Sequence, residues 1–144
     1  MKTLYIDTHS EKMDIAIVAD GISYRKTKLG DKGHSSITVS SIEERLKEAN
    51  IELKDLNQII VVNGPGSFTG VRIGVTIAKT IAYSLNIPIK TLMSLELVSI
   101  NTPKDDVVVA IRDSKGAYTA IKRENRLNNL AYYKKSSLDE FITA

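Results

Sequence analysis

Alternating apolar and polar positions mark the start of the chain as a group of short strands. Residues 13–19 place their large apolar side chains two residues apart, which is the spacing of a strand with one buried face. The same pattern predicts strands over residues 3–8 and 22–29. Asp20-Gly21 lies between the second and third strands, and this pair favours the positive φ angles of a tight hairpin turn.

The spacing of apolar residues then changes to that of helices. Apolar side chains from Val39 to Ala49 form one narrow stripe, which predicts a helix over residues 35–50. The β-branched run at residues 58–62 is apolar on both faces, as in a central parallel strand. The following elements are a helix over residues 70–85, a strand over 87–91 and a helix over 94–100.

This order of elements predicts an α/β fold with a mixed sheet, of the ribonuclease-H-like or actin-like (ASKHA) type. We assign residues 1–102 to this domain and residues 103–144 to an incomplete second domain. The second part is predicted to contain strands near residues 107–111, 117–123 and 127–133, and a capping box at residues 137–140 that opens a last short helix.

Composition narrows the function classes. The chain of 144 residues has no cysteine, which excludes thiol nucleophiles and zinc–thiolate sites. Its first residues do not form a signal peptide and no apolar run is long enough for a bilayer, so we expect a cytoplasmic protein without membrane contact. The net charge is +3, and the basic residues are spread along the chain, which favours an ordinary solvated surface over a dedicated nucleic-acid face.

A glycine-rich turn precedes the longest predicted helix. Residues 64–70 read Gly-Pro-Gly-Ser-Phe-Thr-Gly, and backbone N–H groups at such a helix start are a potential anion site. The turn is not a P-loop, because Gly70 is followed by Val-Arg, and its glycine spacing does not match a dinucleotide site. The simpler interpretation is a tight turn in which Ser67 or Thr69 caps the helix. Gly74, inside the helix, indicates a close approach of sheet or partner backbone.

The helix over residues 70–85 is apolar around an arc of about 200°, whereas a surface helix commonly needs about 100° to cover its own core. One interpretation is that part of the arc is exposed and contacts another protein. The alternative is that the helix is sandwiched within its own chain.

The string Gly-Pro-Gly-Ser-Phe-Thr-Gly-Val-Arg-Ile-Gly at residues 64–74 resembles the signature of the TsaB (YeaZ) family. Further matches follow in the family's order, among them Ile6-Asp7-Thr8, His34-Ser35, Ile87-Pro88 and Ser94-Leu95-Glu96. The resemblance covers residues 1 to about 100 and is weaker beyond residue 104.

The resemblance implies a non-catalytic scaffold for TsaD, the subunit that transfers the threonylcarbamoyl group to tRNA. It further implies a TsaE-type ATPase in the assembly, a possible homodimer through the same helices, only indirect contact with tRNA, and no cofactor or metal. The implied partner interface comprises Val71, Ile73, Gly74, Ile77, Thr80, Ile81 and Ser84. The implied structural glycine loop comprises Gly64, Pro65, Gly66, Ser67, Phe68, Thr69, Gly70 and Arg72.

Three catalytic functions are the alternatives to the scaffold. An ATP-binding phosphotransferase or ATPase of the actin-like fold would use the turn after Asp7, but that turn has no glycine to admit phosphate. A metallopeptidase needs close ligands, whereas His9 and His34 lie on separate predicted loops. Ser67 is not in a Gly-x-Ser-x-Gly elbow. The phosphotransferase remains the main alternative to the scaffold.

Overall fold

The computed structural model describes residues 1–29 and 34–137, with only the backbone of His34. Two compact units divide the chain. The first consists of Met1–Asn63 and Ser67–Leu92, and the second of Gly64–Gly66 and Met93–Ala144, within the described residues. The last predicted helix lies outside the described residues beyond Ser137.

The first unit is built on a five-stranded mixed sheet with the order β3-β2-β1-β4-β5. Its strands are β1 (Lys2–Asp7), β2 (Lys12–Ala19), β3 (Ile22–Leu29), β4 (Gln58–Val62) and β5 (Ile89–Leu92). The first three form the antiparallel meander that the alternating pattern predicts, whereas β4 and β5 are parallel to β1. The predicted mixed α/β sheet is therefore confirmed.

Two helices pack on one face of this sheet. They are α1 (His34–Glu48), which precedes β4, and α2 (Phe68–Leu85), which leads from β4 to β5. A single-turn 3-10 helix, Leu53–Asp55, lies between α1 and β4. Burial of apolar side chains between these layers supplies the main stabilisation of the unit. The core comprises Leu4, Ile6, Met13, Ile15, Ile17, Ala19, Ile42, Leu46, Leu56, Ile59, Val61, Ala78 and Ala82.

The second unit contains α3 (Ser94–Ile100) and an antiparallel three-stranded sheet. Its strands are β6 (Val107–Arg112), β7 (Gly116–Arg123) and β8 (Arg126–Lys134), in the order β6-β7-β8. The predicted strands after residue 104 are thus present.

Helix α3 joins the second unit, although the sequence analysis placed it in the first domain. Leu95 of α3 forms a small core with Val109 of β6 and Ala120 of β7. The buried Lys122 ammonium also donates a hydrogen bond to the carbonyl oxygen of Thr102, 2.5 Å away. These contacts lie between residues far apart in sequence, so the local pattern of α3 did not indicate them.

Candidate functional site

The start of α2 is fixed by a side-chain cap. Ser67 is the N-cap residue, and its hydroxyl oxygen accepts a hydrogen bond from the Gly70 N–H at 3.2 Å. The Ser67 N–H donates to the His9 carbonyl oxygen at 2.8 Å. Because two of the N–H groups that an anion would need are already bonded, this geometry supports the interpretation as a tight turn. The helix begins at Phe68, two residues before the predicted start.

The first part of the glycine loop belongs to the second unit. The peptide bond between Gly64 and Pro65 is cis, and Gly64 has a φ of +100°, which favours glycine. The Ser94 N–H donates to the Gly64 carbonyl oxygen at 2.8 Å, and the Ser94 hydroxyl donates to the Pro65 carbonyl oxygen. Gly64 to Gly66 therefore support the start of α3.

Small residues on α2 bring it close to the sheet. Gly70, Gly74, Ala78 and Ala82 recur at every fourth position and are all buried. A Cβ atom on Gly74 would lie 2.3 Å from Thr8 Oγ1, and one on Gly70 would lie 2.2 Å from the Thr8 carbonyl oxygen. The close approach that Gly74 indicated is thus made to the sheet of its own unit.

Part of the outward side of α2 is a strip of small hydroxyl-bearing side chains. Thr76, Thr80 and Ser84 are exposed. The Thr80 hydroxyl donates to the Thr76 carbonyl oxygen at 2.8 Å, and the Ser84 hydroxyl to the Thr80 carbonyl oxygen at 2.9 Å. Since these hydroxyl groups donate to carbonyl oxygens of their own helix, the side chains present mainly their small apolar parts to a partner.

The large apolar side chains of α2 lie at the flanks, between the buried and the outward sides. Val71, Ile73, Ile77 and Ile81 are half-buried, and Ile77 and Ile81 pack partly against the core. The exposed part of the apolar arc is therefore narrower than the sequence suggests. Gly74 is buried against Thr8 and Ile6 and therefore does not reach the outer surface.

A groove lies beside the outward side of α2. It has a volume of about 340 Å³ and is lined by Ser35 of α1 and by Thr69, Arg72, Ile73, Thr76 and Ile77 of α2. Val39, one helical turn after Ser35 on α1, is 48% exposed. We call the exposed side chains of α1 and α2 around this groove the helix face. Its mixture of apolar floor and small hydroxyl groups resembles a packing surface for another helix more than a polar reaction site.

The turn after β1, which the sequence analysis considered only as a phosphate site, contains a polar cluster. Asp7 is buried, and its Oδ1 lies 2.5 Å from His9 Nδ1 and accepts from the His9 N–H at 3.1 Å. Asp14, the register partner of Asp7 on β2, accepts hydrogen bonds from the Arg25 guanidinium. Burial and the nearby carboxylates of Asp7 and Asp14 raise the pKa of the Tyr5 phenol above its usual range. Asp7 and Asp14 are paired in the register of β1 and β2. Alignment of these two strands as a hairpin is therefore the sequence signal that could have brought the two carboxylates together.

This cluster bears on the catalytic alternatives. The carboxylates of Asp7 and Asp14 each already have a hydrogen-bonded partner within the cluster. Across residues 1–29 and 34–137, no group of three or more His, Asp or Glu side chains is placed to hold a metal ion.

Over the same residues, no helix is long and apolar enough to cross a membrane.

Comparison with known proteins gives the family. The family described as "TsaD: tRNA N6-adenosine threonylcarbamoyltransferase" matches residues 27–130. The tRNA threonylcarbamoyladenosine biosynthesis protein TsaB of Bacillus subtilis is 35% identical over 99% of this chain, which spans 60% of that protein. The chain belongs to the TsaB (YeaZ) family.

Other TsaB relatives agree. TsaB of Escherichia coli is 34% identical over 66% of the chain, which spans 42% of its length. The solved structure of YeaZ from Pseudomonas aeruginosa superposes with a TM-score of 0.79 at 21% identity, covering 93% of this chain and 69% of that one. The resemblance carried by residues 64–74 and the actin-like type of the fold are thereby confirmed.

Proposed function

We propose that the chain is a non-catalytic partner of a TsaD-type subunit in the formation of threonylcarbamoyladenosine on tRNA. The names of its TsaB relatives, together with the matching TsaD family, support the process. The observation that carries the partner role is the helix face, where small outward residues lie beside an open apolar groove. Such a surface lets a second helix approach closely, and close packing is what a stable interface requires.

The proposed contact residues are those of α2 that reach this surface. Thr80 and Ser84 lie on its exposed side, and Val71, Ile73, Ile77 and Ile81 at its half-buried flanks. Gly74 serves the same contact indirectly, because it seats α2 on Thr8. By the same resemblance, a TsaE-type ATPase joins the complex in the cytoplasm, tRNA is bound through the TsaD-type subunit, and a homodimer would use the same helices.

The test enlarges the outer surface without adding charge. In the variant Thr80→Gln/Ser84→Gln, two exposed small residues become long neutral ones with good helix propensity, so folding is retained. We expect binding to the TsaD-type subunit to weaken at least about tenfold, because the helices are held apart. Ser23→Gln, at an exposed position on β3, is the matched control. Affinity is measured by titration calorimetry, and complex mass by light scattering.

Two results would contradict the proposal. If the double variant binds as tightly as Ser23→Gln, the helix face is not the contact. If the chain alone binds Mg-ATP in the same calorimeter and hydrolyses it, the phosphotransferase alternative replaces the non-catalytic partner.

A further inference from the structure

The outermost side chains of α2 form a line in which two cations lie between two aromatic rings. Phe68, Arg72, Lys79 and Tyr83 are all exposed, Phe68 to 75% and Tyr83 to 91%. Their spacing of four, seven and four residues keeps them on one side of the helix. We call these four residues the outer line. Large rings left in water at this level are typical of contact surfaces, since they bury much area with few rotatable bonds.

The charge of the outer line is uncompensated. Helix α2 contains no aspartate or glutamate in its 18 residues. Within the part of the chain that the structure describes, neither Arg72 nor Lys79 forms an ion pair. The Arg72 guanidinium lies 5.2 Å from the centre of the Phe68 ring, which holds it at the rim of the groove.

We propose that the surface of the TsaD-type subunit that binds here is acidic. It presents one carboxylate opposite Arg72 and one opposite Lys79, and it inserts an apolar side chain into the groove against Ile73 and Ile77. This inference rests on the proposed function and names the chemistry of the partner. Complementary charge of this kind accelerates association and rejects wrong partners.

A second copy of the chain fits this surface less well. In a two-fold pair, the same patch meets itself, so the cations of one α2 face those of the other. Two of the three glutamates on the neighbouring α1 already have cationic partners, because Glu44 is bonded to Lys28 and Glu48 to Arg45. Among the described residues this leaves Glu43 as the α1 glutamate without an ion pair, against the two cations of the outer line. The outer line thus favours an acidic partner over self-association.

Single-stranded RNA also fits poorly. Proteins that stack a single strand place rings beside successive bases. The rings of Phe68 and Tyr83 are fifteen residues apart, or about 22 Å along the helix. No aromatic residue lies between them on α2, and the adjacent groove has an apolar floor. A protein with paired carboxylates matches the two cations, which are about 10 Å apart along the axis.

The experiment reverses these charges and varies the salt. The dissociation constant of the full chain and the TsaD-type subunit is measured for wild type, Arg72→Glu, Lys79→Glu and the double variant. Lys90→Glu is the matched control, because Lys90 is exposed on β5 and pairs in register with Ile60 of β4. Circular dichroism melting checks that each variant is folded. Salt dependence of the wild type needs no substitution and is measured first.

We expect each reversal to weaken binding about tenfold at about 50 mM salt, and the double variant about a hundredfold. At about 500 mM salt these differences shrink to about twofold, because exposed charges are screened. Lys90→Glu should bind as the wild type does at both salt concentrations.

Three other outcomes would overturn the inference. If the subunit binds but neither the reversals nor salt changes the affinity, the partner surface is not acidic, whereas the proposed function stands. If no complex forms and light scattering shows a dimer that Arg72→Glu strengthens, a second copy is the occupant and the proposed function fails as well. If the chain instead binds an unmodified tRNA with an affinity that both reversals reduce, the line is an RNA contact.

Discussion

Gly74→Ala is the substitution whose effect the structure defines most closely. Alanine in place of a glycine in a helix interior usually stabilises by about 1 kcal/mol. Here the new Cβ would lie 2.3 Å from Thr8 Oγ1 and 3.3 Å from Ile6 Cγ2. Thr8 is fully buried, and its hydroxyl donates to the Gly70 carbonyl oxygen at 2.6 Å. The methyl group must therefore displace either Thr8 or the helix.

Both routes are unfavourable. Rotating Thr8 breaks the buried hydrogen bond, a loss of about 1–3 kcal/mol. Moving α2 outward loosens the core, which costs about 1–3 kcal/mol in overpacked interiors. After subtracting the helix-propensity gain of about 1 kcal/mol, we expect Gly74→Ala to lower the free energy of unfolding by about 0–2 kcal/mol, with about 1 kcal/mol as the central value.

A double-mutant cycle separates this collision from the propensity of the helix. Thr8→Ala removes Oγ1 and leaves space for a methyl group. In that background we expect Gly74→Ala to stabilise the protein by about 0.5–1 kcal/mol, so the coupling between the two sites is about 2 kcal/mol. Gly70→Ala is the contrasting variant, because its Cβ would meet the Thr8 backbone oxygen, and Thr8→Ala brings no relief.

The assay is urea denaturation followed by circular dichroism, with the slope of the transition compared between variants. Because the chain has two compact units, urea can produce two unfolding transitions. The transition of the first unit is the one whose midpoint shifts in the single variant Thr8→Ala, and stabilities are compared in that transition. If Gly74→Ala stabilised the protein with Thr8 in place, or changed stability equally in both backgrounds, the close contact between Gly74 and Thr8 would be refuted.

Two further predictions concern other parts of the chain. Burial and the carboxylates of Asp7 and Asp14 raise the pKa of Tyr5 from 10.0 in the unfolded chain, so the unfolded state loses this proton first and stability falls as pH rises above that value. Tyr5→Phe should make this fall less steep in urea titrations, and an unchanged slope in Tyr5→Phe would refute the assignment. Gly116→Ala should destabilise the second unit by about 1–3 kcal/mol, because its Cβ would lie 2.0 Å from the Tyr133 carbonyl oxygen across the β7–β8 pair. Loss of amide protection confined to β7 and β8 is the expected signal in hydrogen exchange, and a fully protected pair would contradict it.

The helix face was only partly predictable from the sequence. The apolar arc of α2 drew attention to this helix, but the pattern gave no means to distinguish the inner from the outer part of the arc. The buried side is formed by Gly70, Gly74 and two alanines, while Ile77 and Ile81 occupy the flanks. Hydrophobicity alone predicts that isoleucine is buried in preference to glycine. Here the glycines are the more buried residues, because Thr8 approaches the helix so closely that a side chain would not fit. The groove depends in addition on where α1 lies beside α2.

The sequence by itself determined the elements of this protein. Period-two and helical spacing located the strands and helices within about two residues, and the Asp20-Gly21 turn has the positive φ angles of its predicted hairpin, 52° and 80°. These properties depend on neighbours along the chain.

Only the tertiary structure decided which surfaces of those elements meet. It joined α3 to the second unit, placed Thr8 under Gly74 and left the outer line exposed. The physical reason is that packing is set by the shapes of surfaces brought together from distant positions, 62 residues apart for the hydrogen bond from Thr8 to Gly70. Local periodicity indicates which face of each helix or strand is apolar, but it does not indicate which other surface that face will contact.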